Sequence, residues 1–95
     1  MGVVLTSRRT KQFRKLFDDL PADVQRQARA AYQLFKQNPA HPSLAFKPVP
    51  TAGTSAWSAM IGEHYRVIGY RRGDLVLWDW IGTHEAYNRI VKQRR

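Results

Sequence analysis

A single arginine interrupts a strongly apolar, strand-like segment in the second half of the sequence. Arg66 lies inside residues 65–71, among Val, Ile and Tyr side chains. An unpaired guanidinium among apolar neighbours is costly, so Arg66 is expected to face a fixed anion. Two kinds of anion fit: a bound phosphate group, or the carboxylate of Asp79 or Glu63 in a structural salt bridge. The sequence alone leaves both open.

Two side chains suited to work beside Arg66 follow the last apolar segment. His84 stands where a strand is expected to give way to a helix, and imidazole is the side chain whose protonation changes nearest to neutral pH. It acts either in proton transfer or in a local hydrogen bond at the helix start. Tyr87 follows three residues later, on the same side of that helix. Its ring either packs against the sheet or takes part in catalysis or base stacking.

The remaining candidates are isolated polar side chains in loops and at an edge. Lys47 ends residues 44–47, a segment short enough for an edge strand, where an exposed lysine guards against aggregation. His64 falls in an expected turn and His41 in a proline-flanked loop. The 3 histidines lack regular ligand spacing, so no metal site is expected. Cysteine is absent, which removes thiol chemistry, and no cofactor is expected.

The charge of the chain favours a polyanionic or acidic partner. Lys and Arg number 16 against 7 Asp and Glu in 95 residues, a formal net charge of +9. A field of that sign concentrates nucleic acid or an acidic protein segment near the surface, although a domain can be basic without such a partner. No apolar run approaches the roughly 18 residues of a membrane span, and no secretory leader is recognised, so a cytoplasmic protein is expected.

The first part of the chain is predicted to form two helices. The first follows Thr10, a residue type that caps helix N-termini, and the second begins at Pro21 and stops at Asn38-Pro39. Their apolar positions recur at helical spacing: Phe13, Leu16, Phe17 and Leu20, then Val24, Ala28, Ala31 and Phe35. The two helices are expected to form an antiparallel hairpin, preceded by a short strand at Val3-Val4-Leu5.

The second part is predicted to be a meander of strands. These are expected at residues 56–61, 65–71 and 75–81, joined by tight turns at 62–64 and 72–74. The last two strands are apolar on both faces, which requires cover from the helical hairpin and from a final helical segment. The whole chain, residues 1–95, is therefore predicted to be one α+β domain with a mostly antiparallel sheet of about four strands and a short C-terminal helix.

Three pieces of sequence in the C-terminal half occur together in a known family. They are Tyr65-Arg66-Val67-Ile68-Gly69-Tyr70, then Gly73-Asp74, then Trp78-Asp79-Trp80-Ile81-Gly82-Thr83-His84-Glu85-Ala86-Tyr87. Together they resemble RelE-like toxins of bacterial type II toxin–antitoxin systems, in the RelE/ParE superfamily. The order of elements, including an edge strand ending in Phe46-Lys47, extends the resemblance over essentially the whole chain.

This resemblance implies a ribosome-dependent mRNA endonuclease that uses no metal. In such enzymes the ribose 2′-hydroxyl attacks the adjacent phosphate, leaving a 2′,3′-cyclic phosphate and a 5′-hydroxyl. The reaction needs a base, cations for the phosphorane charge and an acid. The catalytic residues implied are Arg66 at the scissile phosphate, His84 as acid or phosphate contact, Lys47 beside the phosphate, and Tyr87.

Further residues are expected to hold RNA next to that centre. Trp78 and Trp80 are two positions apart and are predicted to share one strand face, where at least one of them would stack on a base. Trp80 is our assignment for that role. Arg71 and His64 are the other predicted RNA-binding residues.

Two positions depart from the pattern that the resemblance implies. Met60 stands where relatives commonly have Arg or Lys, and losing a cation there should weaken phosphate binding or catalysis. Either the residue is natural and the protein a weak nuclease, or it was introduced to reduce toxicity. Asp79 lies inside an aromatic segment where an apolar residue is expected. It needs a cation such as Arg66 or Arg71 if it is buried, and a structural ion pair is favoured over a general base.

Two other functions remain open at this point. The ParE branch shares the fold and acts on DNA gyrase by binding, and an inactive module could retain the antitoxin groove alone. The resemblance implies a cognate antitoxin whose acidic or amphipathic segment wraps the basic surface. The expected partners are therefore the antitoxin, messenger RNA and the ribosome, with no membrane, and with DNA bound only through the antitoxin.

Overall fold

One mixed sheet with helices on both faces forms the domain. The computed structural model describes residues 5–49 and 55–93. In chain order the elements are β1 (Thr6–Arg9), α1 (Lys11–Asp18), α2 (Ala22–Gln37), a short 3₁₀ helix (Pro42–Leu44), β2 (Lys47–Pro48), β3 (Ala56–Ile61), β4 (Tyr65–Arg72), β5 (Leu75–Thr83) and α3 (His84–Gln93). The sheet order is β1-β5-β4-β3-β2, which confirms the α+β prediction.

The two N-terminal helices begin and end where the sequence signals lie. The Thr10 hydroxyl accepts a hydrogen bond from the Phe13 backbone N–H at 3.1 Å and so caps α1. Pro21 immediately precedes α2, and Asn38 ends it. The Gln25 side chain donates to the Phe17 carbonyl at 3.0 Å, which ties α2 to the last turn of α1.

Strands β3, β4 and β5 form the predicted antiparallel meander. Strand β3 has the predicted bounds, while β4 and β5 run one and two residues further than expected. Gly62 and Gly73 lie in the two connecting turns with φ of 59° and 58°, a left-handed conformation that glycine adopts without strain. Because of these turns, the ends of β3 and β4 that meet at Gly62 lie close to the end of β5.

The edges of the sheet differ from the prediction. The described residues form five strands rather than about four, because β1 pairs in parallel with β5. Within the described residues that strand begins at Thr6, just after Leu5, and Val3 and Val4 of the predicted first strand lie outside those residues. The predicted edge strand at 44–47 shrinks to Lys47–Pro48, since Pro42–Leu44 form a 3₁₀ turn and Ala45 takes a left-handed φ of 44°.

The sheet carries an apolar cluster on each face, as its two-sided hydrophobic strands require. One cluster joins α1 and α2 to the sheet through Phe13, Ala28, Phe35, Ala59, Ile61, Val67, Val76, Trp78 and Ile81. The other joins α3 to the opposite face through Val49, Ala56, Ile68 and Tyr87, with Trp80, Ile90 and Val91 packed against them. We call these the hairpin face and the α3 face.

A β-bulge in β5 corrects the prediction that Trp78 and Trp80 share a face. Ile68 pairs with Trp80, but the next residue of β4, Gly69, pairs with Trp78, so Asp79 is the extra residue. The bulge reverses the alternation of side chains at that point. Trp78 therefore packs on the hairpin face, with its ring 5.4 Å from that of Phe35, while Trp80 lies on the α3 face.

Candidate functional site

The candidate site is a cross-strand row on the α3 face, where β5 ends and α3 begins. Arg66 pairs with Met60 on one side and with Gly82 on the other. Directly paired residues of antiparallel strands share a face, and Ile68, two positions on from Arg66, packs in the α3 cluster. The row thus consists of the Arg66 guanidinium, the Met60 thioether and Gly82, which has no side chain. It lies next to the first turn of α3.

Arg66 is held by His84 rather than by a carboxylate. Its Nε donates a hydrogen bond of 3.2 Å to His84 Nδ1 in a partly buried setting. Neither carboxylate proposed from the sequence takes that place in the described structure: Glu63 is exposed in a turn, and Asp79 accepts from the Gln12 side chain through its carbonyl at 3.0 Å and its carboxylate at 3.4 Å. The guanidinium charge therefore faces no fixed anion among the described residues.

The hydrogen bond fixes which nitrogen of His84 carries a proton. Because a guanidinium can only donate, Nδ1 accepts this hydrogen bond in the tautomer that carries its proton on Nε2. The His84 backbone N–H is held as well, because it donates to the His64 carbonyl at 2.8 Å. The turn before β4 thereby anchors the start of α3 beside Arg66.

Tyr87 is buried, and its ring contacts the guanidinium of Arg66. The centre of the Arg66 guanidinium lies 5.0 Å from the centroid of the Tyr87 ring, within the range of a cation–π contact. Tyr87 is 6% exposed, and its hydroxyl donates to the Ser58 hydroxyl at 3.3 Å. Of the two roles left open by the sequence, packing is the one that this geometry shows.

Ser58 was not singled out from the sequence. It is fully buried in β3, and it is the one buried polar side chain in the described part of the chain. A serine in an alternating strand gives no sign of its partner, which lies on a helix 29 residues away. Its two-residue offset from Met60 is the only sequence feature that would have placed it near the row.

Trp80 reaches the row because position 82 has no side chain. A Cβ built on Gly82 would lie 2.5 Å from Cζ2 and 2.7 Å from Cη2 of the Trp80 indole. The indole therefore occupies the space above Gly82, directly across the strand pair from Arg66. It is half-buried, which leaves part of the ring open to solvent.

Lys47 and His64 lie at the margins of the same region. Lys47 pairs with Ser58 and is exposed, so it belongs to the α3 face one strand outward from the Arg66 row. Sheet geometry places its Cα about 12 Å from that of Arg66. The His64 side chain is exposed in the turn whose carbonyl holds His84.

Arg71 is separated from this site by the sheet itself. It pairs with Val76 of the hairpin-face cluster, and its guanidinium lies 4.7 Å from the Trp57 ring centroid. Its Nε donates to the Gly73 carbonyl at 3.2 Å. Predicted RNA-binding residues therefore fall into two groups, with Trp80 and His64 on the side of Arg66 and Arg71 on the other.

Two features are absent from the described ranges, 5–49 and 55–93. No group of three or more His, Cys, Asp or Glu residues is placed to hold a metal ion there. No helix in those ranges has both the length and the hydropathy of a bilayer-spanning segment.

The fold and the site together define a small basic α+β domain with an arginine–histidine pair at a strand-to-helix junction. The ParE-like toxin domain model matches residues 22–89, which is most of the chain and includes Arg66, His84 and Tyr87. The chain therefore belongs to the family of ParE-like toxin domains, within the RelE/ParE superfamily. No curated protein sequence matches it significantly.

Solved structures share the fold at low sequence identity. YafQ from Escherichia coli superposes with a TM-score of 0.69 at 15% identity, covering 87% of this chain and 97% of that one. A chain of the RelB–RelE antitoxin–toxin complex from Methanococcus jannaschii gives a TM-score of 0.68 at 12% identity, covering 87% and 96%. The RelBE2 toxin–antitoxin complex from Mycobacterium tuberculosis gives 0.69 at 19%, covering 86% and 100%. At these identities the likeness establishes the fold alone.

Proposed function

We propose that this chain is the toxin of a type II toxin–antitoxin system and that it cleaves messenger RNA on the ribosome. The observation that carries the proposal is the Arg66–His84 pair, in which a guanidinium without a carboxylate partner is oriented by the Nδ1 atom of an imidazole. Both groups are half-buried at the surface of the α3 face. A cation that is oriented in this way can bind an anionic group of a substrate, such as the scissile phosphate.

The roles of the two groups follow from which of their nitrogens are already engaged. Arg66 uses Nε on His84, which leaves its two Nη groups to bind two oxygens of a phosphate. The Nε2–H of His84 is left to donate a hydrogen bond to a phosphate oxygen and so to stabilise the phosphorane charge, while water accepts the 2′-hydroxyl proton and protonates the leaving 5′-oxygen. The proposed products are a 2′,3′-cyclic phosphate and a 5′-hydroxyl.

Four further residues have supporting roles in the proposal. The half-buried Trp80 indole, across from Arg66, offers a surface on which a splayed base can stack. Lys47 and His64 lie exposed at the margins, where they would contact the RNA backbone. Tyr87 supports Arg66 from beneath, and Arg71 takes no part in this centre because it lies on the opposite face.

Met60 is proposed to attenuate the reaction. It pairs directly with Arg66 and is half-buried, so a basic side chain at position 60 would place a second cation beside the same phosphate. A Met60→Arg variant is expected to cleave faster than the chain as given, by on the order of ten-fold or more, because a second charge stabilises the phosphorane.

The experiment that tests this function measures messenger RNA cleavage on programmed ribosomes. The chain as given is compared with Arg66→Ala and with Arg71→Ala, a matched loss of one arginine from β4 on the opposite face. Loss of cleavage in Arg66→Ala with cleavage retained in Arg71→Ala supports the site. Equal losses in both variants would show that general basicity, and not the Arg66–His84 pair, drives the effect.

The family match itself favours a second candidate, because the matching model is described as ParE-like. In that case the chain binds DNA gyrase and cleaves nothing. A gyrase supercoiling assay with purified chain separates the two: inhibition without any RNA cleavage by the chain or by Met60→Arg would support this alternative.

The antitoxin partner is proposed from a groove on the hairpin face. The groove, of about 550 Å³, lies between α1, α2 and the sheet, and Phe13, Phe17 and Trp78 are among its apolar lining. Exposed arginines stand around it: Arg8, Arg9, Arg14 and Arg29. An apolar groove among cations suits an amphipathic segment with acidic edges. RelB–RelE from Methanococcus jannaschii is such a two-protein toxin–antitoxin complex.

The partner proposal is tested by measuring how tightly the chain binds its cognate antitoxin. Replacing Arg14 and Arg29 by Glu should weaken its binding at least ten-fold, whereas Lys92→Glu on α3 should leave the affinity within about two-fold. Unchanged affinity in the Arg14→Glu/Arg29→Glu variant would exclude the groove.

A further inference from the structure

The buried hydroxyl of Ser58 is the feature of the α3 face that neither packing nor direct chemistry explains. Ser58 is 0% exposed in the middle of β3, where an apolar side chain would avoid the cost of burying a hydroxyl. Its partner is the hydroxyl of Tyr87, at 3.3 Å. A phenylalanine at 87 with an alanine at 58 would fill much of the same space without any polar group.

The Ser58–Tyr87 hydrogen bond fixes the position of the ring on which Arg66 rests. Tyr87 reaches across from α3, and the Arg66 guanidinium lies 5.0 Å from its ring centroid while its Nε is held by His84 Nδ1. Arg66 is therefore restrained from beneath by the ring and from one side by the imidazole. Both supports come from the same turn of α3, since His84 and Tyr87 are three residues apart.

We propose that Ser58, acting through Tyr87, is a positioning residue for the Arg66–His84 pair. The hydrogen-bonded hydroxyl pair holds the Tyr87 ring against β3. The ring in turn fixes the distance of the Arg66 guanidinium from the sheet. The guanidinium then orients His84 through the hydrogen bond that Nδ1 accepts. Neither Ser58 nor Tyr87 touches the phosphate in this arrangement. The inference deepens the proposed nuclease function, but the geometry that it describes is open to a test without RNA.

The first test is the state of the His84 ring, measured by long-range ¹H–¹⁵N NMR at a pH where the imidazole is neutral. In the chain as given, Nδ1 should appear unprotonated and Nε2 protonated. In Ser58→Ala and in Tyr87→Phe the spectrum should shift towards a mixture of the two tautomers, as it should in Arg66→Ala. Retention of the single Nε2–H tautomer in both hydroxyl variants would overturn the proposal.

The second test separates positioning from stability with a variant that lacks both hydroxyls. Removing one partner leaves the other unsatisfied, whereas Ser58→Ala/Tyr87→Phe removes both and should recover most of the thermal stability that each single variant loses. Positioning should not recover. We expect this double variant to keep the tautomer mixture and to cleave on the order of ten-fold more slowly, with KM for the ribosome complex within about two-fold.

Two results decide the case. In an Arg66→Ala background, Ser58→Ala should leave the tautomer ratio of His84 unchanged, because both changes act through one guanidinium. A double variant with wild-type cleavage and the wild-type tautomer would show that the hydroxyl pair serves stability alone. If the chain and Met60→Arg cleave no RNA, the proposed function fails, and the NMR result still decides the positioning role by itself.

Discussion

Substituting Gly82 tests whether the Trp80 indole occupies the space that the structure gives it. A Cβ at position 82 would lie 2.5 Å from the indole, so the ring would have to move by at least about 1 Å to restore ordinary carbon–carbon contact. Overpacking of this kind costs about 1–3 kcal/mol, and alanine recovers about 0.5–1 kcal/mol over glycine in a strand. We expect Gly82→Ala to destabilise the domain by about 1–2 kcal/mol, or about 5–15 °C in Tm.

The matched control removes the ring instead of moving it. In a Trp80→Leu background the six-membered ring is gone, so Gly82→Ala should be neutral or stabilise by up to about 1 kcal/mol. Thermal melts of the chain, the two single variants and the double variant give the coupling between the two positions directly. An equal loss of Tm in both backgrounds would refute the placement of Trp80 over Gly82.

Other predictions concern the cap, the core and the edge of the site. Thr10→Ala should lower the free energy of unfolding by about 1 kcal/mol, because the Phe13 N–H loses its acceptor, and Thr10→Ser should lose much less in the same denaturant titration. Phe35→Ala should cost about 3–5 kcal/mol, since the ring is 4% exposed, and a cost below 1 kcal/mol would contradict its central place in the core. Lys47→Ala should raise KM for the ribosome complex with little change in Tm, whereas an unchanged KM would remove Lys47 from the RNA surface.

The elements of the fold were predictable where local signals and packing agree. Strand β3 has the predicted bounds because an alternating apolar segment ends at a glycine turn. The cap at Thr10 and the stop at Asn38 were confirmed for the same reason. The requirement that β4 and β5 be covered on both faces correctly assigned the helical hairpin to one side and α3 to the other.

The errors have definite physical causes. A bulge at Asp79 reverses the faces of Trp78 and Trp80, and no turn residue in that segment announces it. The left-handed Ala45 shortens the edge strand, although alanine has no preference for that conformation.

The candidate site was only partly foreseeable. An isolated arginine in an apolar strand singled out Arg66, and His84 and Tyr87 were named beside it. His84, and not Asp79 or Glu63, orients the Arg66 guanidinium. This depends on the strand register, which brings the start of α3 to the row formed by Met60, Arg66 and Gly82. Ser58 required the three-dimensional structure, because a contact across 29 residues has no local signature.

The most direct test of the central claim is the chemistry of the RNA ends left by the Met60→Arg variant on programmed ribosomes. Catalysis by Arg66 and His84 predicts a single cut that leaves a 2′,3′-cyclic phosphate and a 5′-hydroxyl, and that disappears in Met60→Arg/Arg66→Ala. Cleavage that leaves a 3′-hydroxyl or survives the loss of Arg66 would contradict the account.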